Sequence, residues 1–408
     1  MNNKYFNRKD TIYNITEKYN EAIDLLKSIG IDNIDNQEER ESFGKKISLE
    51  MALKLKKINI DTFENQLIEL IENRNETDEN KESKEEVDIK IEGVLPCPVR
   101  VPLLDSLKVF LETYDSKLKI GYDLKAASMG VDWLKDSLEN GEDEIADIFI
   151  SAGFDLFFDK KLFGKYKNLD VFKDITDFDK YNDDFDNEYM SLKDPDKQYS
   201  IIGVVPAVFL VNQDELGNRK MPSSWEDLLS KEFENKVSLP IGDFDLFNAI
   251  LLNIYKKYGE DGVKRLGKSL LKSMHPSEMV KSNRDKGERP IITIMPYFFT
   301  KMTKRGGPMK AIWPEDGAII SPIFLLSKKK KQESLKSLVD FFASKDVGEI
   351  LSHNGKFPSV NPNVNNMIPK EQKYMWIGWE YIKENDIGSL IKVCESLFEE
   401  GMGVEKWI

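Results

Sequence analysis

A chain of 408 residues, 40% hydrophobic and 11% aromatic, carries enough apolar side chain for real cores, which excludes global disorder; it also exceeds the ~250–300 residues of a single core. A formal charge of −13 and a pI near 5.0 exclude a wholesale nucleic-acid or anionic-membrane binder, because affinity for phosphate needs clustered Lys and Arg. Cys97 and Cys394 are the only cysteines and neither belongs to a CxxC pair, so there is no disulfide framework and no zinc-ligand spacing.

The opening stretch, "MNNKYFNRKDTIYNITEKY", has no apolar segment of the kind a secretory signal needs, which predicts a cytoplasmic chain; a leader already removed would place it outside the cytoplasm. Residues 1–72 read as a small helical domain. Asn20 caps "EAIDLLKSIG", Ser48 starts "LEMALKLKK", and Asp61 with Glu64 opens "DTFENQLIELIE". Residues 73–87, nearly free of apolar side chains and rich in acid, read as a solvated linker.

From residue 88 short strands alternate with longer helices, the order of βαβ units and an α/β sheet. "DIKIEGVL", "KLKIGYDL" and "DIFISAG" are the strands of a first set; "KVSLP" and "PIITIMP" belong to a second. "SWEDLLSKEF" behind Ser223, "DLFNAILLNIYKKYG" and "DGVKRLGKSLLKSM" are helical, and so is the closing stretch "YMWIGWEYIKENDIGSLIKVCESLFEE". Two unbroken apolar runs, "IIGVVPAVFLV" at 201–211 and "AIISPIFLL" at 318–326, each hold a proline. Both are too short to span a bilayer and too proline-bound for helices, so both read as buried extended segments. They bracket a second lobe, residues 206–317, inserted into a first lobe made of 88–205 and 318–408. The alternative is that both are ordinary core strands of one sheet. Two crossings would leave a cleft, and pockets concentrate at such interfaces.

"GVVPAVFLVNQDEL", "MPSSWEDLLSKEFENKVSLP", "YKKYGEDGVKRL" and "SPIFLLSKKKKQESLKSLVDFFASKDVGEILSHNGKFPSVNP" resemble, in that order, the solute-binding proteins of ABC importers of the ferric-iron, thiamine and polyamine type. The resemblance implies an α/β fold of the two-lobed type 2 periplasmic-binding-protein class behind a small all-α domain. It also implies export, which the opening stretch does not suggest. Residues 1–72 resemble a small helical domain of unknown function found ahead of iron–sulfur-associated proteins. Several of those carry cysteine after the first long helix, whereas "GIDNIDNQEERES" has none.

Candidate ligand contacts lie at strand ends, where open α/β sheets bind ligands. Cys97 and Pro98 open a helix after the first strand, while Ser151, Ala152 and Gly153 end a strand with small residues that let backbone approach a solute. Asp243, Phe244 and Asp245 start a helix in the second set, and the acid and ring there suit a cationic or aromatic solute. Tyr297 and Phe298 follow "ITIMP". Only Tyr297 matches the paired tyrosines with which the resembling ferric binders hold metal, so no metal is expected. Lys301, Lys304 and Arg305 come next, by default a solvated face and otherwise an anion site. There is no P-loop, GxGxxG, HExxH or GxSxG, and only two histidines, so catalysis and a cofactor are not expected. The reading is solute capture by hinge closure, by a transport component or a cytoplasmic sensor. A protein partner on the helical domain is possible, and a thiol-dependent sensor or enzyme built on Cys97 is the alternative.

Overall fold

In the computed structural model the chain forms two compact units, residues 1–86 and 87–408. Described are residues 5–28, 31, 34, 37, 40–55, 60, 63–64, 67–68 and 71 of the first unit, and 87–114, 117–126, 132–241, 244–274, 276–284, 287–303 and 306–403 of the second. The expected linker lies outside the described residues apart from Val87.

The first unit is helical, as its periodicity predicts: α1 (Ile12–Lys18), α2 (Glu21–Ser28) and α3 (Leu49–Leu55). Thr11 caps α1 by accepting from the Asn14 amide, and Ser48 Oγ accepts from the Met51 amide at 3.3 Å. Ile12, Leu26, Leu53, Phe63 and Leu67 bury together in a core of their own. Arg8 pairs with Glu64 at its edge.

In chain order the second unit contains β1 (Ile89–Leu95), α4 (Cys97–Thr113), β2 (Ile120–Ala126), β3 (Ile148–Ala152), α5 (Asp155–Phe158), β4 (Ser200–Asn212), α6 (Trp225–Leu228) and β5 (Val237–Leu239). There follow α7 (Phe244–Ser269), β6 (Leu270–Ser273), β7 (Ile292–Pro296), β8 (Met309–Ile312), β9 (Ala318–Ser327), α8 (Gln332–Phe342), β10 (Tyr374–Met375), α9 (Trp379–Glu384) and α10 (Ile387–Met402). The strands form one sheet in the order β2-β1-β3-β9-β4-β7-β5-β6, with β10 added to β9 and β8 to β4. Within β1, β2 and β3, and again within β5, β6 and β7, the strands run parallel, whereas β3–β9, β9–β4 and β4–β7 are antiparallel.

The two apolar runs are therefore the central antiparallel pair of the sheet, β4 and β9. Every residue of both strands is buried, which explains why neither shows the alternation of a half-exposed strand. Flanking partners end before the middle of the pair. On the outer edge of β4 the chain at 358–360 serves residues 202–204 and β7 serves 207–211. On the outer edge of β9, β3 serves 323–327 and β10 serves 318–319. Residues 205–206 and 320–322 thus have no ladder partner on their outer edges among the described residues, and the sheet narrows there to two strands.

That waist accounts for both prolines. The Val204 amide donates outward to Pro358 O at 2.9 Å, and the Ala318 amide donates outward to Lys373 O at 2.9 Å. Alternate residues of a strand face the same edge, so the N–H groups missing at Pro206 and Pro322 would have pointed into the unpartnered gaps. Proline there forfeits no hydrogen bond and blunts an open edge.

Three local expectations change. The cap of α6 is Ser224, not Ser223: Ser224 and Asp227 form a reciprocal capping box, and Ser223 adds a further bond to the Asp227 carboxylate. The two expected helices after Asp243 merge as α7 across a kink at Gly259, and the expected helical tail "LLKS" is instead β6, paired with β5. The stretch "YMWIG" is not helical. Tyr374 and Met375 pair with β9, Gly378 at φ 82 takes a backbone conformation closed to other residues, and helix begins only at Trp379.

Candidate functional site

The two sets of parallel strands point toward each other across the waist. The carboxyl end of β3, Ala152, pairs with Ile323, which faces Gly203; the carboxyl end of β7, Pro296, pairs with Ala207, which faces Ile319. Four residue steps along β4, from Gly203 to Ala207, separate the two ends, about 13 Å at ~3.3 Å per step. Both half-sheets therefore present their carboxyl ends, the usual ligand edge of an α/β sheet, to one short stretch of the central pair.

β10 runs parallel to β9 and points into the gap beside residues 320–322, so Trp376 follows directly into it. Its ring lies 5.7 Å from that of Phe154, the residue after Gly153, and 5.8 Å from that of Trp379. Two residues earlier, Tyr374 stacks toward Phe185 at 4.8 Å and meets Trp313 edge-on at 5.4 Å; Trp313 in turn meets Tyr297 edge-on at 5.2 Å. A chain of rings, Tyr297, Trp313 and Tyr374, thus joins the end of β7 to β10. Gln372, Tyr374 and Trp376 are alternate residues of one extended stretch, and each leaves a buried polar atom without a partner: Gln372 Oε1, Tyr374 OH and Trp376 Nε1. Ser321 Oγ, in the waist itself, is a fourth. Native structures leave few such atoms, so a cluster of them marks where a missing partner belongs.

At the other end of the ring chain stand two lysines. Lys356 Nζ reaches Tyr297 OH at 3.4 Å and lies 4.4 Å from the centre of the Tyr297 ring. Lys301 Nζ, from the turn after β7, donates to His353 O at 2.9 Å and Asn354 O at 3.1 Å. Burial, and then the neighbouring charge of Lys356, push the Lys301 ammonium below the usual lysine range. Nearer α5, burial pushes the Asp155 carboxyl up, against a hydrogen bond from the Asn248 side chain on α7; Asp159 adds to the rise.

The expected contacts fare unevenly. Ser151, Ala152 and Gly153 end β3 at the waist, but all three are buried, and Ser151 Oγ spends its hydrogen on Ala152 O at 3.0 Å. Gly153 has φ 121, which lets the chain turn so that Phe154 faces Trp376. Tyr297 stands at the ring chain, while Phe298 turns to Phe299 at 5.3 Å and under Lys301 at 5.6 Å. Pro98 sits in the first turn of α4, which Cys97 begins; the Cys97 side chain lies outside the described residues. Asp243 lies outside them altogether, and Phe244 and Asp245 are described only as the backbone that begins α7. The other thiol, Cys394, is buried, and that burial pushes it up to about 12, which keeps it protonated at neutral pH. Among the described residues no group of His, Cys, Asp and Glu could hold a metal ion.

Sequence reasoning missed Trp313, Lys356, Gln372, Tyr374 and Trp376. The signal was the polar or aromatic residue at every second position of "QKYMW", a period of two rather than 3.6. A separate cavity of about 410 Å³ lies beside Lys167, Gln198 and Trp379. There Lys167 already pairs with Asp194 and Gln198, each at 3.1 Å, so that cavity offers a solute less than the waist does.

Comparison with known proteins agrees with this arrangement. Residues 143–385 match the profile of a bacterial extracellular solute-binding protein, and residues 6–63 that of a domain of unknown function, DUF1858. The fold is similar to that of a ferric binding protein from Campylobacter jejuni, with TM-score 0.55 and 17% identity over 77% of this chain and 99% of that one. It is similar also to apo ferric ion-binding protein A from Pasteurella haemolytica, with TM-score 0.56 and 14% identity over 78% and 99%. A third similar structure, the periplasmic binding protein AfuA from Actinobacillus pleuropneumoniae with fructose-6-phosphate bound, has TM-score 0.53 and 14% identity over 78% and 99%. No curated protein sequence matches. Among the described residues no helix is long and apolar enough to cross a membrane. With more than half its length matched, on strands that meet at a two-stranded waist, the chain belongs to the bacterial extracellular solute-binding protein family.

Proposed function

We propose that residues 87–408 capture a small solute over the waist, between a half made of 88–205 with 318–408 and a half made of 206–317, and that the halves close on it. The observation that carries this reading is the narrowing of the sheet to β4 and β9 where both sets of strand ends meet. Two strands bend and twist more readily than eight, so the waist is the natural hinge. Contacts already span it: Tyr297 and Lys301 follow β7, while His353, Asn354 and Lys356 adjoin the chain at 358–360 on the other half. A solute that touches both sides only when the halves are closed favours the closed form by that differential affinity.

Membership of a binding family favours binding over catalysis, and among the described residues no nucleophile–base pair stands beside the rings. For the helical unit at 1–86, to which none of the waist residues belongs, the proposed role is to meet a protein partner. X-ray scattering tests the central reading. The solute that co-purifies with the protein, identified by native mass spectrometry, reduces the radius of gyration when added back to stripped protein; an unchanged radius at saturation overturns hinge closure.

A further inference from the structure

The ring chain ends in positive charge that no carboxylate among the described residues neutralises. Lys301 and Lys356 join the same two segments, Lys301 reaching His353 and Asn354 and Lys356 reaching Tyr297, so the charge of one acts on the other, and no carboxylate among the described residues pairs with either. The acceptors of Lys301 are two uncharged carbonyl oxygens, and that of Lys356 is a phenol. The chain carries 72 acidic residues against 59 basic ones, yet among the described residues neither lysine of this pair meets a carboxylate. Beside the lysines stand the rings of Tyr297, Trp313 and Tyr374, and the buried Tyr374 OH lacks a partner.

We propose, resting on the capture reading above, that the solute is an organic oxyanion: its phosphate or carboxylate lies between Lys301 and Lys356, and its unsaturated body lies against Tyr297, Trp313 and Tyr374. An oxyanion there relieves the repulsion between the two ammonium groups and gives each a charge-assisted hydrogen bond. Because Lys301 and Lys356 come from opposite sides of the waist, the anion also bridges the halves and draws them together. The rings supply flat apolar area and the edge of a polarised face, which an apolar or unsaturated body needs and a hydrated inorganic ion does not. Tyr374 OH then hydrogen-bonds a polar atom on that body.

Tryptophan fluorescence reads the site, since Trp313 and Trp376 lie in it. Stripped protein is titrated with phenyl phosphate, benzoate, inorganic phosphate, benzyl alcohol and benzylamine, and scattering is recorded for every probe that binds. At least one of the aryl anions binds tenfold or more tightly than benzyl alcohol and benzylamine, and more tightly than inorganic phosphate. Lys356→Gln weakens that binding at least tenfold, Lys301→Gln weakens it and abolishes compaction, and added salt weakens it in the wild type. A stronger response to phenyl phosphate than to benzoate identifies a phosphate and the reverse a carboxylate. Binding of benzylamine or benzyl alcohol as tightly as the anions, no response to either aryl anion, or anion affinity untouched by both substitutions overturns the proposal. Compaction by a neutral or cationic probe would leave the capture reading standing while this one falls, whereas binding of any probe without compaction would remove hinge closure alone.

Discussion

The central pair and the stretch at 372–376 lie side by side on β9, yet they are built for opposite ends. In β4 and β9 the side chains are overwhelmingly apolar and every residue is buried; Phe324 alone packs its ring 4.5 Å from Phe157 and within 6.4 Å of Trp379. The neighbouring stretch is equally extended but, though much shorter, holds three buried polar atoms left unpartnered, against Asn212 Nδ2 alone in β4 and Ser321 Oγ alone in β9. A frame gains from satisfied contacts, and a binding site gains from groups left unsatisfied until the solute arrives, at a standing cost in stability.

Two substitutions break or sharpen that contrast. Phe324→Ala empties a fully buried ring site and lowers unfolding free energy by about 3–5 kcal/mol in urea titration. Tyr374→Phe removes only an unpartnered hydroxyl, so stability stays level or rises by up to about 1 kcal/mol, while affinity for the captured solute falls roughly tenfold, about 1.4 kcal/mol. If Tyr374→Phe destabilised the protein as Phe324→Ala does, the distinction between frame and site would fail.

The same contrast explains how much the sequence revealed. The frame was legible because its physics is local: an apolar run that contains proline must be extended and buried, and both such runs proved to be the central strands. What could not be read was why the prolines are tolerated, since that depends on where β3, β7 and β10 stop, a matter of register between segments far apart in the chain. Tyr297 was found because it directly follows a strand that the pattern made plain. Tyr374 and Trp376 were absorbed into the helix that starts at Trp379, because "YMWIGWEYI" is rich in aromatics at both helical and strand spacing, and only Gly378 marked the break. Lys356 gave no signal at all, as a lone lysine in a loop looks like any solvated lysine.

A smaller effect separates an enclosed acid, Asp155 beside Asn248 of α7, from the open acids elsewhere. Burial raises the Asp155 carboxyl above its ordinary value of 3.8, and burial likewise raises Glu395 on α10, helped by the charge of Asp155. A carboxyl whose folded-state pKa is raised contributes stability that is fully present below its unfolded value and lost as pH rises through the folded value. Wild-type protein therefore carries the penalty of an ionised enclosed acid at neutral pH, and Asp155→Asn, which keeps the shape, does not. The variant melts higher than wild type at pH 7.5, and the difference closes by pH 3.5. A gain of equal size at both pH values would assign it to packing instead of charge.

The smallest effect is expected from the largest change. The helical unit closes its own core around Phe63, Leu67 and Leu53, and no residue of the waist, the ring chain or the lysine pair lies before residue 87. Deleting residues 1–86 therefore removes none of those residues, and calorimetry on the shortened protein returns the dissociation constant of the full chain within about a factor of two, under ~0.5 kcal/mol. A larger shift would mean that the helical unit biases the open and closed populations of its neighbour, since a change in that balance alters apparent affinity even when every direct contact is intact. Scattering from the shortened protein without solute would then show the altered balance as a changed radius of gyration of residues 87–408. Equal affinity would instead leave the helical unit free to act on a partner, with capture complete in the unit that carries the waist.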